Sequence, residues 1–159
     1  MNIRGKELQY IFHIMITEFD STFMLLTKRP ERMKKAIEYM NWQDIPPNIW
    51  LGVTAENQRT ADERIPIFLQ IPAAVRFVSV EPMLSEMEII QYMIRPDQPV
   101  VDWVICGGET GPGARPMNPD WARSLRDQCK DAGVPFFMKK MSGGGQPPDD
   151  LMIRNNPGA

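Results

Sequence analysis

Cysteine and histidine are scarce in this sequence, which has two cysteines and one histidine among its 159 residues. Cys106 and Cys129 are too far apart for a Cys-x-x-Cys metal or redox pair, and both lie in apolar or helical surroundings, so we expect buried free thiols. His13 has no cysteine or second histidine nearby. The sequence therefore predicts no metal site and no serine or cysteine nucleophile activated by an imidazole.

Long apolar runs and an excess of either charge are also missing. No stretch of about 18 apolar residues suggests a membrane span, and the chain does not open on a charged-then-apolar leader. The formal net charge is −2, so a generally basic nucleic-acid surface is not indicated, although a local basic patch would be compatible with it. We expect a cytoplasmic protein without a membrane partner.

What the sequence does contain is a repeated order of helix-like and strand-like segments. Five short apolar runs are typical of buried strands; they are 22–27, 49–53, 75–80, 101–107 and 134–139. Apolar strands separated by helices indicate parallel pairing with both faces of the sheet covered, which is an α/β fold. A closed eight-stranded barrel needs about 200 residues or more. We therefore predict a partial or open (β/α) barrel-like parallel sheet of about five strands, with flanking helices; a doubly wound sheet also fits the pattern.

Capping signals place several of the helices. Asn118, Pro119 and Gly133 suit the N-cap, the first turn and the left-handed stop of one helix. Thr60 and Glu63 have capping-box spacing. A weaker helix is predicted at 86–93.

The chain divides by composition near its C-terminal end. We expect residues 1–145 to form a single α/β domain and residues 146–159, rich in glycine and proline, to form a loop-like tail. Leu151–Ile153 are the tail residues that we expect to dock on the domain.

Polar residues gather where the predicted strands end. The carboxyl ends of parallel strands meet at one edge of the sheet, where α/β proteins bind their ligands. On an extended segment Ser79 and Glu81 share a face with Phe77 and would point to the interior with it. Two interpretations stay open, since these residues could be caps and ion pairs or could form a ligand site. The residues in question are Lys28, Arg29, Thr54, Glu56, Asn57, Ser79, Glu81, Gly107, Gly108, Glu109, Lys139 and Lys140.

The segment VDWVICGGETGPGARP, residues 101–116, is the most unusual of these strand ends. Its glycines could expose backbone N–H groups to a phosphate, although the spacing matches neither GxGxxG nor GxxxxGK[ST]. Glu109 could instead bind an ammonium group or a sugar hydroxyl that the flanking glycines allow to approach. A wide turn that needs glycine only for its shape explains the segment equally well.

The blocks LLTKRPERM, NIWLGVTAENQ, RFVSVEPML, DWVICGGETGPGARP and DDLMIR resemble a family of bacteriophage and prophage proteins regarded as radical-SAM-like barrels. The resemblance covers about Lys6 to Arg154 and corresponds to the C-terminal two-thirds of such proteins. It implies S-adenosylmethionine and a [4Fe–4S] cluster as cofactors, the cluster being held by three clustered cysteines in an N-terminal segment. This chain has no such cluster of cysteines, so we expect no cofactor in it.

The resemblance implies site residues at the strand ends. They are Lys28, Arg29, Glu56, Asn57, Glu81, Gly107, Gly108, Glu109, Arg115 and Lys139. The strand pattern adds Ser79 to the ligand-binding candidates. If the protein is instead an acid–base enzyme, the catalytic candidates are Glu56, Glu81 and Glu109. By analogy with radical-SAM barrels, the Gly-Gly-Glu turn would meet the amino group of S-adenosylmethionine.

Three functional hypotheses follow. The first is a short radical-SAM-like protein that keeps a polar ligand rim without autonomous redox catalysis. The second is a phage-encoded interaction protein that binds a host protein or nucleic acid. The third is a small-ligand enzyme using acid–base carboxylates. An open flank at Thr22–Thr27 also predicts a homodimer, a host or phage protein bound at that strand, or coverage by the first helix.

Overall fold

The computed structural model describes residues 5–42 and 44–158. Four helices and five strands alternate along the chain, and short 3₁₀ turns lie at Ile90–Tyr92, Ser142–Gly144 and Asp149–Leu151. In order, the elements are α1 (Gly5–Thr17), β1 (Phe23–Thr27), α2 (Pro30–Tyr39), β2 (Ile49–Thr54), α3 (Gln58–Phe68), β3 (Arg76–Val80), β4 (Trp103–Cys106), α4 (Pro119–Ala132) and β5 (Phe136–Met138).

The five strands form one parallel sheet in the order β1-β2-β3-β4-β5. Each strand therefore pairs with the next strand in the sequence, as in a (β/α) barrel. Among the described residues β1 does not pair with β5, so the sheet stays open. The prediction of an α/β fold with a partial or open barrel-like sheet is confirmed.

Helices cover one face of this sheet. Alternate strand residues such as Leu51, Val78 and Val104 are fully buried there with helix residues such as Ile65 and Leu125. On the opposite, concave face the cluster of buried side chains consists of strand residues alone: Phe77, Trp103 and Ile105, with Trp50 and Phe137 against them. The prediction that both faces of the sheet are covered is wrong for this second face, where the buried cluster holds strand residues only and Met24 and Leu26 remain about half exposed.

The predicted caps of α4 are confirmed. The Asn118 side chain accepts a hydrogen bond from the Asp120 N–H, Pro119 occupies the first turn, and Gly133 ends the helix at φ 68°. At α3, however, the capping box joins Asn57 and Thr60, so the predicted pair Thr60 and Glu63 is wrong. The helix begins three residues earlier than that pair implies.

The predicted helix at 86–93 is also wrong, since only the 3₁₀ turn Ile90–Tyr92 forms. Backbone N–H groups in this region bond to side chains of other elements. Glu88 donates to the Gln58 side chain on α3, and Ile89 donates to the Gln128 side chain on α4. These long-range bonds replace the local bonds that a helix would need.

The tail docks as predicted. Leu151 is fully buried. Two residues later, the Ile153 carbonyl accepts a hydrogen bond from the Met138 N–H of β5 at 2.9 Å. Asn155 donates to the Phe136 carbonyl, and Phe137 and Arg154 form an antiparallel bridge. The tail therefore occupies the outer edge of β5.

Candidate functional site

The concave face holds a hollow of about 420 Å³ at the centre of the sheet. Its lining comes from β1, β3, β4 and β5, together with the residues Glu81 and Lys139 that follow β3 and β5. The lining residues are Met24, Leu26, Phe77, Ser79, Glu81, Trp103, Ile105, Phe137 and Lys139. The prediction that Ser79 and Glu81 share the interior face with Phe77 is confirmed.

Aromatic rings form the floor of the hollow. The Trp103 ring lies 5.9 Å from the rings of Trp50 and Phe77 and 6.0 Å from that of Phe137, measured between centroids. The Trp103 indole N–H donates to the Asn155 carbonyl at 2.9 Å, so its polar group is satisfied by the tail. Edge-to-face packing and this hydrogen bond hold the Trp103 ring in one orientation.

Gly52 makes room for this floor. A Cβ atom at Gly52 would overlap the Phe77 ring on the neighbouring strand. The absence of a side chain in the middle of β2 thus lets Phe77 lie across that strand.

Charged groups stand at the mouth of the hollow. Glu81 follows β3, and its carboxylate lies 2.9 Å from the Lys139 ammonium group and 3.9 Å from that of Lys140. Ser79, on the same side of β3, is 3% exposed. The Ser79 side chain lines the hollow together with Glu81 and Lys139. A carboxylate, an ammonium group and a hydroxyl therefore face one hollow.

Glu56 belongs to a different cluster. It is 7% exposed and contacts the Lys28 ammonium group at 2.6 Å and the Arg64 guanidinium group at 2.9 Å. Burial raises the pKa of Glu56, but the hydrogen bond from Lys28 and the charges of Arg64 and Lys28 outweigh it, so the pKa is lowered overall. Arg64 also donates to the Thr54 carbonyl at 2.7 Å and so ties α3 to the end of β2.

Glu109 is engaged by Arg115. The Arg115 side chain donates to both carboxylate oxygens, at 2.7 and 2.6 Å, and the Arg115 backbone N–H donates at 2.9 Å. Side-chain and backbone hydrogen bonds from Arg115 lower the pKa of Glu109 to about 2. The carboxylate is therefore ionised near neutral pH, and its oxygens are occupied.

The glycines before Glu109 also serve the fold. The N–H groups of Gly107 and Gly108 donate to the carbonyls of Val80 and Lys140, so neither is available to a phosphate. Gly107 lies against the Glu81 side chain, and a Cβ atom at Gly108 would overlap the backbone of Ser142. The phosphate interpretation of these two residues is wrong, because the glycines allow close backbone approach instead.

Two other predicted site residues act at helix starts. The Asn57 side chain accepts from the Thr60 N–H and caps α3. Arg29 is the N-cap residue of α2, and its N–H donates to the Thr27 hydroxyl. The predicted rim is thus divided. Ser79, Glu81 and Lys139 share the hollow, whereas the other predicted residues form separate ion pairs (Lys28, Glu56, Glu109, Arg115), lie at helix caps (Arg29, Asn57) or allow close backbone approach (Gly107, Gly108).

Sequence reasoning missed several residues of this region. The strand pattern identifies Trp50, Trp103 and Phe137 only as apolar strand residues, yet Trp103 and Phe137 line the hollow and Trp50 packs against Trp103. These residues alternate along their strands with residues of the helix-covered face, and this alternation could have shown that they share the opposite face. Arg64 was missed because it lies in the middle of α3, away from any strand end.

A larger hollow of about 580 Å³ lies beside the loop 86–90. Gln58 and Gln128, which line it, already bond to the backbone of that loop. The hollow contains neither aromatic floor nor paired charges, so the concave face is the better candidate site.

The thiols and acids do not form a metal centre in the described part of the chain, where no group of three or more histidine, cysteine, aspartate or glutamate residues could hold an ion. Cys106 and Cys129 are free and buried, as predicted. Burial raises the pKa of both thiols, that of Cys129 to about 12. Over residues 5–42 and 44–158, no helix is long and apolar enough to cross a membrane.

Comparison with known proteins gives one match. A family described as a protein of unknown function, DUF5131, matches residues 2–154. No curated protein and no solved structure matches the chain. Because the match extends over nearly the whole sequence, the chain belongs to the DUF5131 family.

Proposed function

We propose that the concave face binds a small ligand of the S-adenosylmethionine type, which combines a flat heteroaromatic ring with an amino-acid end. The observation that carries this proposal is the hollow of about 420 Å³ with an aromatic floor and oppositely charged groups at its mouth. A planar ring stacks favourably on aromatic side chains. Glu81 and Lys139 pair with each other at 2.9 Å, and in the complex they exchange that pair for the ligand ammonium and carboxylate groups, so the zwitterionic end fits the mouth.

The resemblance to radical-SAM-like bacteriophage and prophage proteins supports this class of ligand. The Gly-Gly-Glu turn is a poor candidate for contact with the ligand amino group. Its Gly107 carbonyl accepts from the Met83 N–H, and the Glu109 carboxylate is occupied by Arg115. In our proposal Glu81 takes that role.

Redox catalysis by this chain alone is not part of the proposal. The cluster implied by the resemblance needs three thiolates from one loop, whereas this chain has two cysteines, buried in β4 and α4. These residues do not fit a [4Fe–4S] cluster. We therefore derive no step through one.

Acid–base catalysis by Glu56, Glu81 and Glu109 has less support. Each of these carboxylates is ion-paired, and the pKa values of Glu56 and Glu109 are lowered. A general acid or base works best with a pKa near the working pH. Nucleic-acid binding gains no support from the net charge of −2.

The test is calorimetric titration of the protein with S-adenosylmethionine, with adenosine and methionine as separate probes. We expect the complete ligand to bind more tightly than either half, because it alone contacts both floor and mouth. Glu81→Gln and Lys139→Met should each weaken its binding about tenfold, since each removes one charge-assisted hydrogen bond.

Arg59→Met is the matched control, because Arg59 forms an exposed ion pair with Glu63 on α3. Its binding should equal that of the unmodified protein. Absence of binding by both S-adenosylmethionine and adenosine would overturn the proposal. So would binding that Glu81→Gln and Lys139→Met leave unchanged.

A further inference from the structure

The strand β1 has an open outer edge. The Phe23 N–H donates to the Asn48 carbonyl at 2.8 Å, which starts the ladder with β2. Alternate residues of a parallel strand face the same neighbour, so the backbone groups of Met24 and Leu26 point outward. Within the described residues these groups have no backbone partner. Their side chains are 46% and 52% exposed, so an unpaired apolar edge faces solvent.

The first helix does not close this edge. Phe12 of α1 is buried against Trp42, with the two ring centroids 4.5 Å apart. It also lines a groove between β1 and α2. Asn48 fixes the chain between α1 and β1 by donating to the Met15 carbonyl at 2.9 Å. The helix thus packs beside β1, and no backbone bond joins it to the outward groups of that strand.

The opposite edge of the sheet cannot receive β1 of another molecule. The tail already bonds to β5 through Met138, Phe136 and the bridge between Phe137 and Arg154. Head-to-tail pairing of β1 with β5 is therefore blocked. The remaining way for two copies to join their sheets is β1 against β1, which a two-fold axis makes antiparallel.

The charges around β1 favour this antiparallel arrangement. Glu18 and Asp20 precede the strand, and Lys28 and Arg29 follow it. Lys28 pairs with Glu56, whereas Glu18, Asp20 and Arg29 form no ion pair with any described residue. An antiparallel copy brings the acidic end of each strand to the basic end of the other. A parallel copy would bring like charges together.

We propose that β1 is a homodimer interface at which two copies pair antiparallel and form one ten-stranded sheet. Even-numbered residues carry the outward backbone groups, so a two-fold axis at Met24 pairs Met24 with Met24 of the partner subunit. The same register sets Thr22 opposite Leu26 of the partner subunit and Asp20 opposite Lys28 of the partner subunit. The exposed apolar side chains of Met24 and Leu26 are then covered on both copies.

Sedimentation velocity over a range of protein concentrations tests the dimer. The unmodified protein should sediment at twice the monomer mass. Asp20 lies opposite Lys28 of the partner subunit and next to Arg29 of the partner subunit, so Asp20→Arg or Arg29→Asp places like charges beside each other at both ends and should raise the dissociation constant at least about tenfold. An equimolar mixture of the two variants should restore the dimer. At one end of the mixed pair the unchanged Asp20 meets Lys28 and Arg29, and at the other end the arginine introduced at position 20 lies beside the aspartate introduced at position 29.

A cross-link tests the register. Met24→Cys should give a disulfide-linked dimer on mild oxidation, since facing residues of a hydrogen-bonded antiparallel pair lie within disulfide range. Cys106 and Cys129 are buried and should not react. Ile94→Cys is the control, because Ile94 is 54% exposed on a loop and should remain largely unlinked.

Three outcomes would overturn the proposal. They are a monomer at every concentration, a dimer that both charge reversals leave intact, and a mixture of the two variants that stays monomeric. None of these measurements depends on ligand binding at the concave face, so this proposal and the proposed function succeed or fail separately.

Discussion

Among single residues, Glu56 has the most consequential environment for stability. Its carboxylate is almost fully buried and neutralises Lys28 and Arg64, which belong to different parts of the fold. Removal of the charge would leave Arg64 half-buried without its acidic partner. The ion pair therefore links the end of β1 to α3 across β2.

We predict that Glu56→Gln lowers the free energy of unfolding by about 1–3 kcal/mol at pH 7, the range for a lost charge-assisted hydrogen bond. The folded-state pKa of Glu56 is lowered, so this stabilisation is complete above the ordinary glutamate pKa of about 4.3 and is lost as the pH falls through the lowered value. Urea denaturation at several pH values should show the gap between the two proteins closing below about pH 4.

Glu63→Gln is the matched control for that experiment. Glu63 forms an exposed pair with Arg59 one helical turn away, which should contribute no more than about 0.5 kcal/mol. A gap between Glu56→Gln and the unmodified protein that stays constant with pH would contradict the assignment.

The Phe77 ring lies directly against Gly52, so the effects on stability of substitutions at these two positions should depend on each other. We predict that Gly52→Ala destabilises the protein by about 1–3 kcal/mol, because the added methyl group displaces the Phe77 ring. In a Phe77→Leu background the same change should be at least about 1 kcal/mol less damaging, which a double-mutant cycle in urea would measure. Gly145→Ala, where the new atom meets only ordinary contacts at φ −62°, should be nearly neutral. Additive effects of the two changes would contradict this account.

At the scale of elements, the docked tail contributes to the core of the sheet. Leu151 is fully buried although it lies in a short 3₁₀ turn, and Asp150 beside it pairs with Arg123 and Arg126 of α4. The ion pairs are exposed, so we attribute most of the tail's contribution to the buried leucine.

We predict that Leu151→Ala lowers the free energy of unfolding by about 2–4 kcal/mol, the usual range for loss of a buried leucine side chain. Met152→Ala is the control: its side chain is 54% exposed, and the change should be within about 0.5 kcal/mol. Equal effects at the two positions would show that the tail is not docked as described. Thermal and urea unfolding both provide the measurement.

The sequence predicted the elements well where local chemistry determines them. The five strands were found within about two residues because each is a short, continuously apolar run. The helix predicted at 86–93 was wrong because Gln58 and Gln128, far away in the chain, bind its backbone. The curvature that turns Trp103 and Phe137 to one concave face is a property of the whole sheet. Residue types at the charged rim were predictable, but their partners, such as Arg64 for Glu56, depend on how the helices pack.

At the scale of the whole molecule, one continuous core joins α1, all five strands, the other helices and the tail. We predict a single cooperative unfolding transition for this reason. Far-ultraviolet circular dichroism and tryptophan fluorescence should give the same urea midpoint. The tryptophans report from separate regions, with Trp42 beside α1, Trp121 on α4, and Trp50 and Trp103 on the concave face.

A fluorescence transition that precedes the loss of helix signal would contradict this prediction. It would show that the concave face opens before the helix-covered core. Trp103→Phe provides the control, because it removes the signal from the centre of the aromatic floor and leaves the circular dichroism measurement in place.

The bridge between Phe137 and Arg154 has a further consequence for assembly. A sheet with two open edges can add copies at both sides without limit, and such head-to-tail contacts yield fibres when the rotation does not close a ring. The tail occupies the β5 edge, so in the dimer that we propose edge-wise growth would stop after two molecules. Under that proposal the tail prevents polymerisation, and its loss by proteolysis would free the β5 edge for open-ended edge-wise association.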